Sequence, residues 1–451
     1  MNDLTKGSPA LVMLKFAIPV LIGRLFQLAY NLTDTRIVGS MLGTDALAAV
    51  GSVSTLHELF SGFLIGLAGG FSILTARYFG MNRRDLVRRC FASGLLLGTV
   101  AALVMTLPSL LGLHVLLDIL NVSDALRPDA SAYLGTLLAG LIFCVLYNVL
   151  ASNLRAVGDS LTPLLFLILS AVLNVGLDLL FVGPLRYGVR GAALATVLAQ
   201  AISAALCFLY LRIRYPMFVF TLREMIPDRE MASQLVGGGL SMGLMSSLVS
   251  FGTVALQTAI NSFETPIIVA HTATRKLTNL YMMPFSVLGA TMATYCGQNY
   301  GAGRLDRIRK GLRDALLLSY LWALVDLLMS YTIAPSLITA ISGTKDPEIL
   351  YTAVLYQKVD TIFYLLVPTI TILRNGLQGL GDHVTPVASS FLELLCKVLV
   401  AFLLTPVLHY MGIIWAEPIA WTVMVIPLII SMAKRLRKVQ PPDPEEENAV
   451  S

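Results

Sequence analysis

Long runs of apolar residues, separated by short polar segments, dominate the chain. A helix needs about 20 mostly apolar residues to cross a bilayer. Twelve runs approach or exceed this length, at residues 11–38, 55–78, 90–112, 131–154, 163–184, 190–212, 234–262, 274–296, 314–336, 350–374, 386–408 and 412–433. They lack the polar–apolar alternation of barrel strands. The pattern predicts an all-α integral membrane protein with twelve transmembrane helices.

The composition agrees with this interpretation and excludes several functions. Of the 451 residues, 56% are hydrophobic and 13% are charged, and the mean hydropathy is +0.76. Soluble domains carry about 25% charged residues. The five cysteines form no CxxC pair, so we expect neither disulfides nor zinc, and we expect no cofactor. We find no phosphate-binding loop of the ATPase type, so energy must come from an ion gradient or a partner.

The basic residues are distributed by topology. With a cytoplasmic N-terminus, 21 of the 32 Lys and Arg residues lie in cytoplasmic segments and four lie outside, while seven fall within spans. This bias predicts that both termini are cytoplasmic. The net charge of +5 therefore indicates no nucleic-acid partner. The polar start of the chain predicts no cleavable signal peptide.

The two halves of the chain resemble each other. NLRAVGDSLTP at 153–163 and GLQGLGDHVTP at 376–386 are identical at five of eleven positions, and QLAYNLTDT at 27–35 is echoed by QTAINSFET at 257–265. These echoes predict a parallel tandem repeat of six spans each, an architecture of transporters. The predicted domains are an N-terminal lobe, a cytoplasmic linker, a C-terminal lobe and a disordered cytoplasmic tail, at residues 1–212, 213–233, 234–433 and 434–451.

Two predicted spans of the first half carry polar faces. Gln27, Asn31 and Asp34 share one face of span 1 and are flanked by Tyr30. Span 5 has a second polar face, formed by Ser170, Asn174 and Asp178. Polar residues at membrane depth point into the bundle or a wet cavity. At 1.5 Å of rise per residue, both acids are expected at similar depth.

Two desolvated acids at similar depth suit ion coupling. Burial and mutual repulsion favour binding of a proton or a cation. We therefore interpret Asp34, Asp178 and Asn174 as a cation-coupling site for H⁺, or for Na⁺ held through the oxygens of Asn174 and Asp178. The structural alternative is that Asp34 pairs with Arg24 or Arg36, and that Gln27, Tyr30 and Asn31 make ordinary interhelical hydrogen bonds.

Several motifs resemble those of one transporter family. PVLIG, QLAYNLTDTRIVG, GTDALAAVG, GQNYGAGR and LQGLGD occur in an order and at spacings similar to those of the bacterial multidrug and toxic compound extrusion (MATE) family. The resemblance covers essentially the whole chain and implies two six-helix lobes and cation-coupled export of cationic, aromatic drugs. In the proton-linked branch, an aspartate on span 1 and an Asn/Asp pair on span 5 form the coupling site, and Asp34, Asn174 and Asp178 match those positions.

The second half departs from the first. The repeat aligns Asn174 with Lys397 and Asp178 with Ala401, so the span-5 pair is absent there. Glu264 is the repeat mate of Asp34 and a possible second site residue. The further charges Lys358, Asp360, Glu393 and Lys397 sum to zero, which predicts a self-neutralised structural cluster. Asp326 on span 9 has no explanation from the sequence. These differences favour coupling in the first lobe.

The substrate cavity is the least defined prediction. Soft and aromatic side chains suit promiscuous binding, and the candidates are Tyr147, Met242, Met245, Tyr281 and Met282. We expect a monomer in the lipid bilayer that exports organic cations and is not an enzyme. One alternative is a flippase for lipid-linked saccharides. Another, less favoured, is an intramembrane aspartyl protease, because GLGD at 379–382 recurs as AVGD at 156–159 and reads as a turn.

Overall fold

The computed structural model describes residues 3–438, and within this range every regular element is a helix. The first helices are α1 Pro9–Leu42, α2 Thr44–Gly80, α3 Arg84–Leu111, α4 Leu113–Ile119, α5 Arg127–Ala139, α6 Leu141–Ala156, α7 Leu161–Val182, α8 Gly188–Arg214 and α9 Arg229–Ile260. The others are α10 Thr265–Gly301, α11 Leu305–Thr332, α12 Ala334–Ser342, α13 Pro347–Ile362, α14 Leu366–Gly379, α15 Val384–Leu399, α16 Thr405–Leu408, α17 Tyr410–Ile414 and α18 Ala416–Lys438. The predicted all-α fold is confirmed.

Nine of the described helices are long and apolar enough to span a membrane, and a tenth span results if the bent pair α5–α6 counts as one. The predicted spans at 274–296 and 350–374 lie on α10 and α13–α14, which do not meet that standard. Those helices carry charges, including Arg275, Asp360 and Arg374, that lower their hydropathy. The described helices thus support an integral membrane protein, and the count of twelve stays a prediction.

The described chain divides into two compact units. The first contains Ile18–Gly243, and the second contains Leu4–Ala17 together with residues 244–438. The chain passes from one unit to the other inside α1 and again inside α9. The first residues of α1 belong to the second unit and the rest to the first, whereas the first residues of α9 belong to the first unit and the rest to the second. Each unit therefore includes helical residues from both halves of the sequence.

Corresponding helix pairs pack together in the two units. In the first unit α2 packs against α3, α5 and α6, and α8 packs against α6 and α7. In the second unit α10 packs against α11, α13 and α14, and α18 packs against α14 and α15. The same set of contacts is thus built twice, as expected of a tandem duplication.

The repeated GD turn has the same conformation in both units. Gly158 and Gly381 have φ angles of 87° and 80°, a left-handed conformation that a side chain disfavours. Asp159 accepts hydrogen bonds from the backbone N–H and hydroxyl of Thr162, and Asp382 does the same with Thr385. The two aspartates therefore terminate a turn and start the next helix, which supports the predicted turn and not a protease motif.

Residues 4–7, which we call the N-terminal strap, are tied to the second unit. The guanidinium of Arg307 donates to the carbonyl oxygens of Leu4, Lys6 and Gly7 at 3.1, 3.3 and 2.8 Å. Asn299 donates to the Leu4 carbonyl, and the Leu4 N–H donates to Gln298. The start of α1 is therefore fixed by buried, charge-assisted hydrogen bonds.

Between α8 and α9 the chain forms two short 3₁₀ turns, at Pro216–Phe218 and Leu222–Met225. Glu224 in the second turn pairs with Arg88 of α3 at 2.6 Å. At the other end of the chain, α18 continues to Lys438. The predicted tail therefore begins inside this helix, and its residues 439–451 lie outside the described residues.

Candidate functional site

The polar face of α1 reaches two neighbouring helices at Tyr30 and Asp34. The Tyr30 hydroxyl lies 3.5 Å from the Thr196 hydroxyl of α8, and the Asp34 side chain reaches Asp178 of α7. Tyr30 and Asp34 are half-buried, as is Gln27 one turn earlier, whereas Asn31 is exposed. Of the predicted polar face of α1, Asn31 is thus the residue whose side chain lies outside the site.

The polar face of α7 is buried where the sequence predicts it. Asn174 and Asp178 are 1% and 0% exposed, one turn apart, and Ser170 is half-buried one turn earlier. The Asn174 amide donates to Thr196 at 3.1 Å. Thr196 therefore links the two polar faces through Tyr30 and Asn174. Sequence reasoning missed Thr196, because a single threonine in the alanine-rich α8 gives almost no polar signal.

Asp34 and Asp178, which we call the acid pair, lie close enough for a carboxyl–carboxyl hydrogen bond. Both oxygens of Asp178, one oxygen of Asp34 and the amide oxygen of Asn174 are otherwise buried without a hydrogen-bond partner. Within residues 3–438, no ion pair joins either acid to a lysine or arginine. The alternative in which Asp34 pairs with Arg24 or Arg36 is therefore not the arrangement found.

This donor set suits a small monovalent cation. Four buried oxygens without a hydrogen-bond partner lie on α1 and α7, and three of them belong to the two carboxyl groups, which repel each other when both are ionised. A proton shared by the acid pair removes one charge, whereas Na⁺ would use the same oxygens as ligands. Among the described residues no cluster of three His, Cys, Asp or Glu side chains could hold a metal ion.

The second unit contains a different arrangement at the corresponding helices. Glu393 of α15 pairs with Lys397 at 2.9 Å and with Arg374 at 3.2 Å. Glu417 of α18 pairs with Lys397 and with Arg275, each at 3.1 Å. We call these five residues the charge network. It contains three cations and two acids, so its formal charge is +1.

The predicted cluster was thus partly wrong in its membership. Lys358 lies elsewhere, 5.3 Å above the ring of Tyr331. Asp360 is fully buried, accepts a hydrogen bond from Tyr364 at 3.2 Å and lies within electrostatic range of the charge network. Counting Asp360 as a third acid brings the formal charge to zero, so the predicted neutrality holds with different partners.

The remaining predicted residues are distributed over both units. Glu264 is exposed at the start of α10, unlike its repeat mate Asp34. In the first unit Tyr147 donates to the Pro163 carbonyl, and Met242 packs on Gly66 and Gly69 of α2.

In the second unit the Met245 sulfur accepts from Gln378, Tyr281 is buried and Met282 is half-buried. The structure therefore gives each candidate its own packing environment, and a substrate cavity formed by the five residues stays a prediction.

Known proteins with similar sequences are transporters. The chain is 27% identical over 407 residues to the probable multidrug resistance protein YoeA of Bacillus subtilis (strain 168), covering 88% of this chain and 86% of the relative. It is 26% identical over 318 residues to the FAD transporter of Shewanella oneidensis, covering 70% and 69%. These relatives confirm that the chain is not an enzyme.

A solved structure has the same fold. The outward-facing conformation of a multidrug resistance MATE family transporter of the MOP superfamily matches with a TM-score of 0.88, at 23% identity, over 97% of this chain and 98% of that one. Residues 19–180 and 241–403 both match the MatE family, so the two halves are recognised separately. The chain therefore belongs to the MatE family of integral membrane transporters.

Proposed function

We propose that the chain is a secondary-active antiporter that exports organic cations, including aromatic drugs, in exchange for H⁺. The observation that carries the proposal is the acid pair: two interacting carboxyl groups, Asp178 fully buried and Asp34 half-buried, with no cationic partner among the described residues. Such a site strongly favours binding one positive charge, and it discriminates only weakly between a proton and another cation.

Coupling follows from competition for this charge. When Asp34 and Asp178 share a proton, the site holds one negative charge fewer and releases a cationic substrate more readily. When the proton leaves, the site attracts the next cation. Ligands drive a conformational change only by their different affinities for its two states, so alternating access requires H⁺ and substrate to favour opposite states. Next to this site, Thr196 joins Tyr30 of α1 to Asn174 of α7 through hydrogen bonds.

The proposal extends to the topology. We propose twelve spans with both termini in the cytoplasm, in the inner membrane of a bacterial cell. The lobes would be residues 1–212 and 234–433, joined by the linker 213–233. The family membership, the duplicated helix packing and the 21-to-4 distribution of basic residues support this arrangement. We further propose that the transporter acts as a monomer.

Asp34→Asn tests the coupling site, because it keeps the shape of the side chain and removes its charge. We expect pH-driven efflux of a cationic dye from everted vesicles to fall at least tenfold, with unchanged protein levels. Asp118→Asn is the matched control, since Asp118 is exposed and pairs with Arg127. Normal efflux by Asp34→Asn would refute the proposed role of the acid pair.

The coupling ion needs a separate measurement. Dye uptake into everted vesicles can be followed while the proton gradient and the sodium gradient are collapsed one at a time. We expect uptake to stop when the proton gradient collapses. Loss of uptake only with the sodium gradient would assign Na⁺ to the oxygens of Asn174 and Asp178 instead.

The flippase alternative would require an anionic substrate to bind near the same helices. A lipid-linked saccharide carries an anionic headgroup, which would be repelled by the acid pair. Its test is translocation of such a lipid in proteoliposomes, where we expect no activity. Translocation that persists in Asp34→Asn while dye efflux is absent from the unmodified protein would favour the flippase.

A further inference from the structure

Asp326 is a buried acid of the second unit that the proposed function does not explain. It lies on the face of α11 that also carries Ser319, Ala323 and Ser330, and these four side chains are between 0% and 2% exposed. Both carboxyl oxygens of Asp326 are buried without a hydrogen-bond partner. The acid is therefore completely removed from solvent and is not held by any described side chain.

Two hydrogen bonds connect α11 to its neighbours one to two turns before Asp326. The indole N–H of Trp322 donates to the Tyr281 carbonyl of α10 at 3.0 Å. The hydroxyls of Tyr320 and Thr369 lie 2.7 Å apart and join α11 to α14. The register of α11 against both neighbours is thus fixed, and Asp326 is placed in this interior by the fold.

A short chain of polar groups leads to the same place. Thr278 donates to the Gln357 amide oxygen at 3.5 Å, and the Gln357 amide N–H donates to the Ser330 hydroxyl at 3.4 Å. The Tyr281 hydroxyl lies next to Ser330 but has no partner in hydrogen-bonding geometry, although Tyr281 is only 4% exposed. This series of polar groups thus ends at the Tyr281 hydroxyl, a second buried group without a hydrogen-bond partner, and Tyr281 interacts electrostatically with Asp326.

The charged groups on the packed helices are engaged elsewhere. Arg275 of α10 pairs with Glu417, Arg374 of α14 pairs with Glu393, and Asp360 of α13 accepts from Tyr364. Lys358 of α13 lies over Tyr331. Tyr281 is therefore the titratable neighbour of Asp326, and no described cation neutralises the carboxylate. An isolated ionised carboxylate in such an environment is strongly disfavoured.

We propose that Asp326 is a reversible proton-binding site of the second unit, separate from the acid pair, with Tyr281 and Ser330 as hydrogen-bond partners of the protonated acid. A proton needs only these partners. A cation such as Na⁺ needs a larger set of oxygen ligands than one carboxyl group and two hydroxyls provide, and one lone pair of the Ser330 hydroxyl already accepts a hydrogen bond from Gln357. The site gives the transporter a second titrating position that does not share a helix with the first.

Infrared difference spectroscopy of the purified full-length protein tests this proposal directly. The background is Asp34→Asn/Asp178→Asn, so that neither acid of the proposed coupling site contributes. Because every carboxyl group contributes to the carbonyl band of protonated acids, we expect one component of this band, appearing as the pH is lowered, to be missing from the same protein carrying Asp326→Asn. Asp118→Asn in this background should leave that component unchanged. The measurement needs no transport, so it is independent of the proposed antiport.

Tyr281→Phe provides a second variant that retains the acid. It removes the unpartnered hydroxyl, so we expect the Asp326 band to shift in frequency and in its midpoint pH, whichever way Asp326→Asn affects folding. A band that never appears, or one that is present at every pH, would overturn reversible proton binding. Loss of the band on adding NaCl but not choline chloride, at constant pH, would reassign the site to Na⁺ and likewise overturn the proposal.

Discussion

The acid pair of the first unit and the charge network of the second unit share one pair of corresponding helices, α7 and α15, and have opposite electrostatics. On α7, Asn174 and Asp178 face another acid and have no cationic partner. On α15, the residue aligned with Asn174 is Lys397, which pairs with two glutamates. One duplicated scaffold thus holds a site that can change its charge and a site whose charges are already matched.

The difference indicates how the duplication diverged. A buried ion pair is a poor source of stability but is costly to break, because the remaining charge is left without a partner. The charge network therefore resists change, whereas we propose that the acid pair exchanges a positive charge. Substituting an acid by its amide in each place is the sharpest way to test this comparison.

The largest effect is expected for Glu393→Gln. It removes the acid that holds both Arg374 and Lys397 and leaves Arg374 without a carboxylate partner. We expect the free energy of unfolding in mixed micelles to fall by about 3–5 kcal/mol. Combining it with Arg374→Met should restore part of the loss. Unchanged stability of Glu393→Gln would contradict the assignment of a structural role to the charge network.

A smaller effect is expected for Asp382→Ala in the repeated turn. Asp382 accepts from the backbone N–H groups of Val384 and Thr385 and from the hydroxyls of Thr385 and Ser431. Loss of this capping carboxylate should cost about 1 kcal/mol of unfolding free energy at neutral pH. A cost no larger than that of an exposed acid-to-alanine substitution would refute the capping role.

The cost of Asp382→Ala should also depend on pH. Burial raises the pKa of Asp382, but the hydrogen bonds from Thr385 and Ser431 and the charge of Arg435 outweigh burial and hold its pKa below the usual value. A lowered pKa means that the stabilisation is complete above the unfolded pKa of about 4 and is lost as the pH falls through the lower folded value. The difference in melting temperature between the two proteins should therefore shrink on acidification below about pH 4.

A still smaller effect is expected for Asp178→Asn, the acid-to-amide substitution in the acid pair of the first unit. Because the Asp178 carboxyl has no cationic partner, the amide removes a charge without orphaning another. We expect the unfolding free energy to change by less than about 1 kcal/mol, although transport is lost. A destabilisation as large as that of Glu393→Gln would mean that the two sites are structurally equivalent after all.

The smallest effect is expected at an exposed ion pair that occurs once in each unit. Arg83 pairs with Asp85 at 2.9 Å, and Arg304 pairs with Asp306 at 3.6 Å, at aligned positions of the two repeats. All four side chains are at least half exposed, and exposed pairs contribute little. Arg83→Ala and Arg304→Ala should both leave the melting temperature unchanged. A clear decrease in only one variant would reveal a difference between the repeats that burial does not explain.

The sequence predicted what depends on helical spacing and repetition. Asp34, Asn174 and Asp178 could be found because polar residues one turn apart stand out in an apolar helix. The turns at Gly158 and Gly381 could be found because they occur twice. The hydrogen bonds of the two turns follow from local geometry. For the acid pair, the sequence identifies the polar faces of α1 and α7, and only their contact depends on tertiary packing.

Partners supplied by distant helices could not be predicted in the same way. Arg275, Arg374 and Glu417 complete the charge network from three other helices, and nothing in their local sequence identifies Glu393 or Lys397 as a partner. Lys358 was wrongly included because it lies close to Asp360 in sequence, whereas its side chain extends toward Tyr331. Spacing identifies a shared face on one helix but does not say what that face contacts.

The N-terminal strap fixes the start of the first helix. Because the Arg307 guanidinium donates to the carbonyl oxygens of Leu4, Lys6 and Gly7, the first turn of α1 starts from an anchored end. Chain ends that are not held in this way usually fray. The anchorage should therefore slow hydrogen exchange of the first backbone amides of α1.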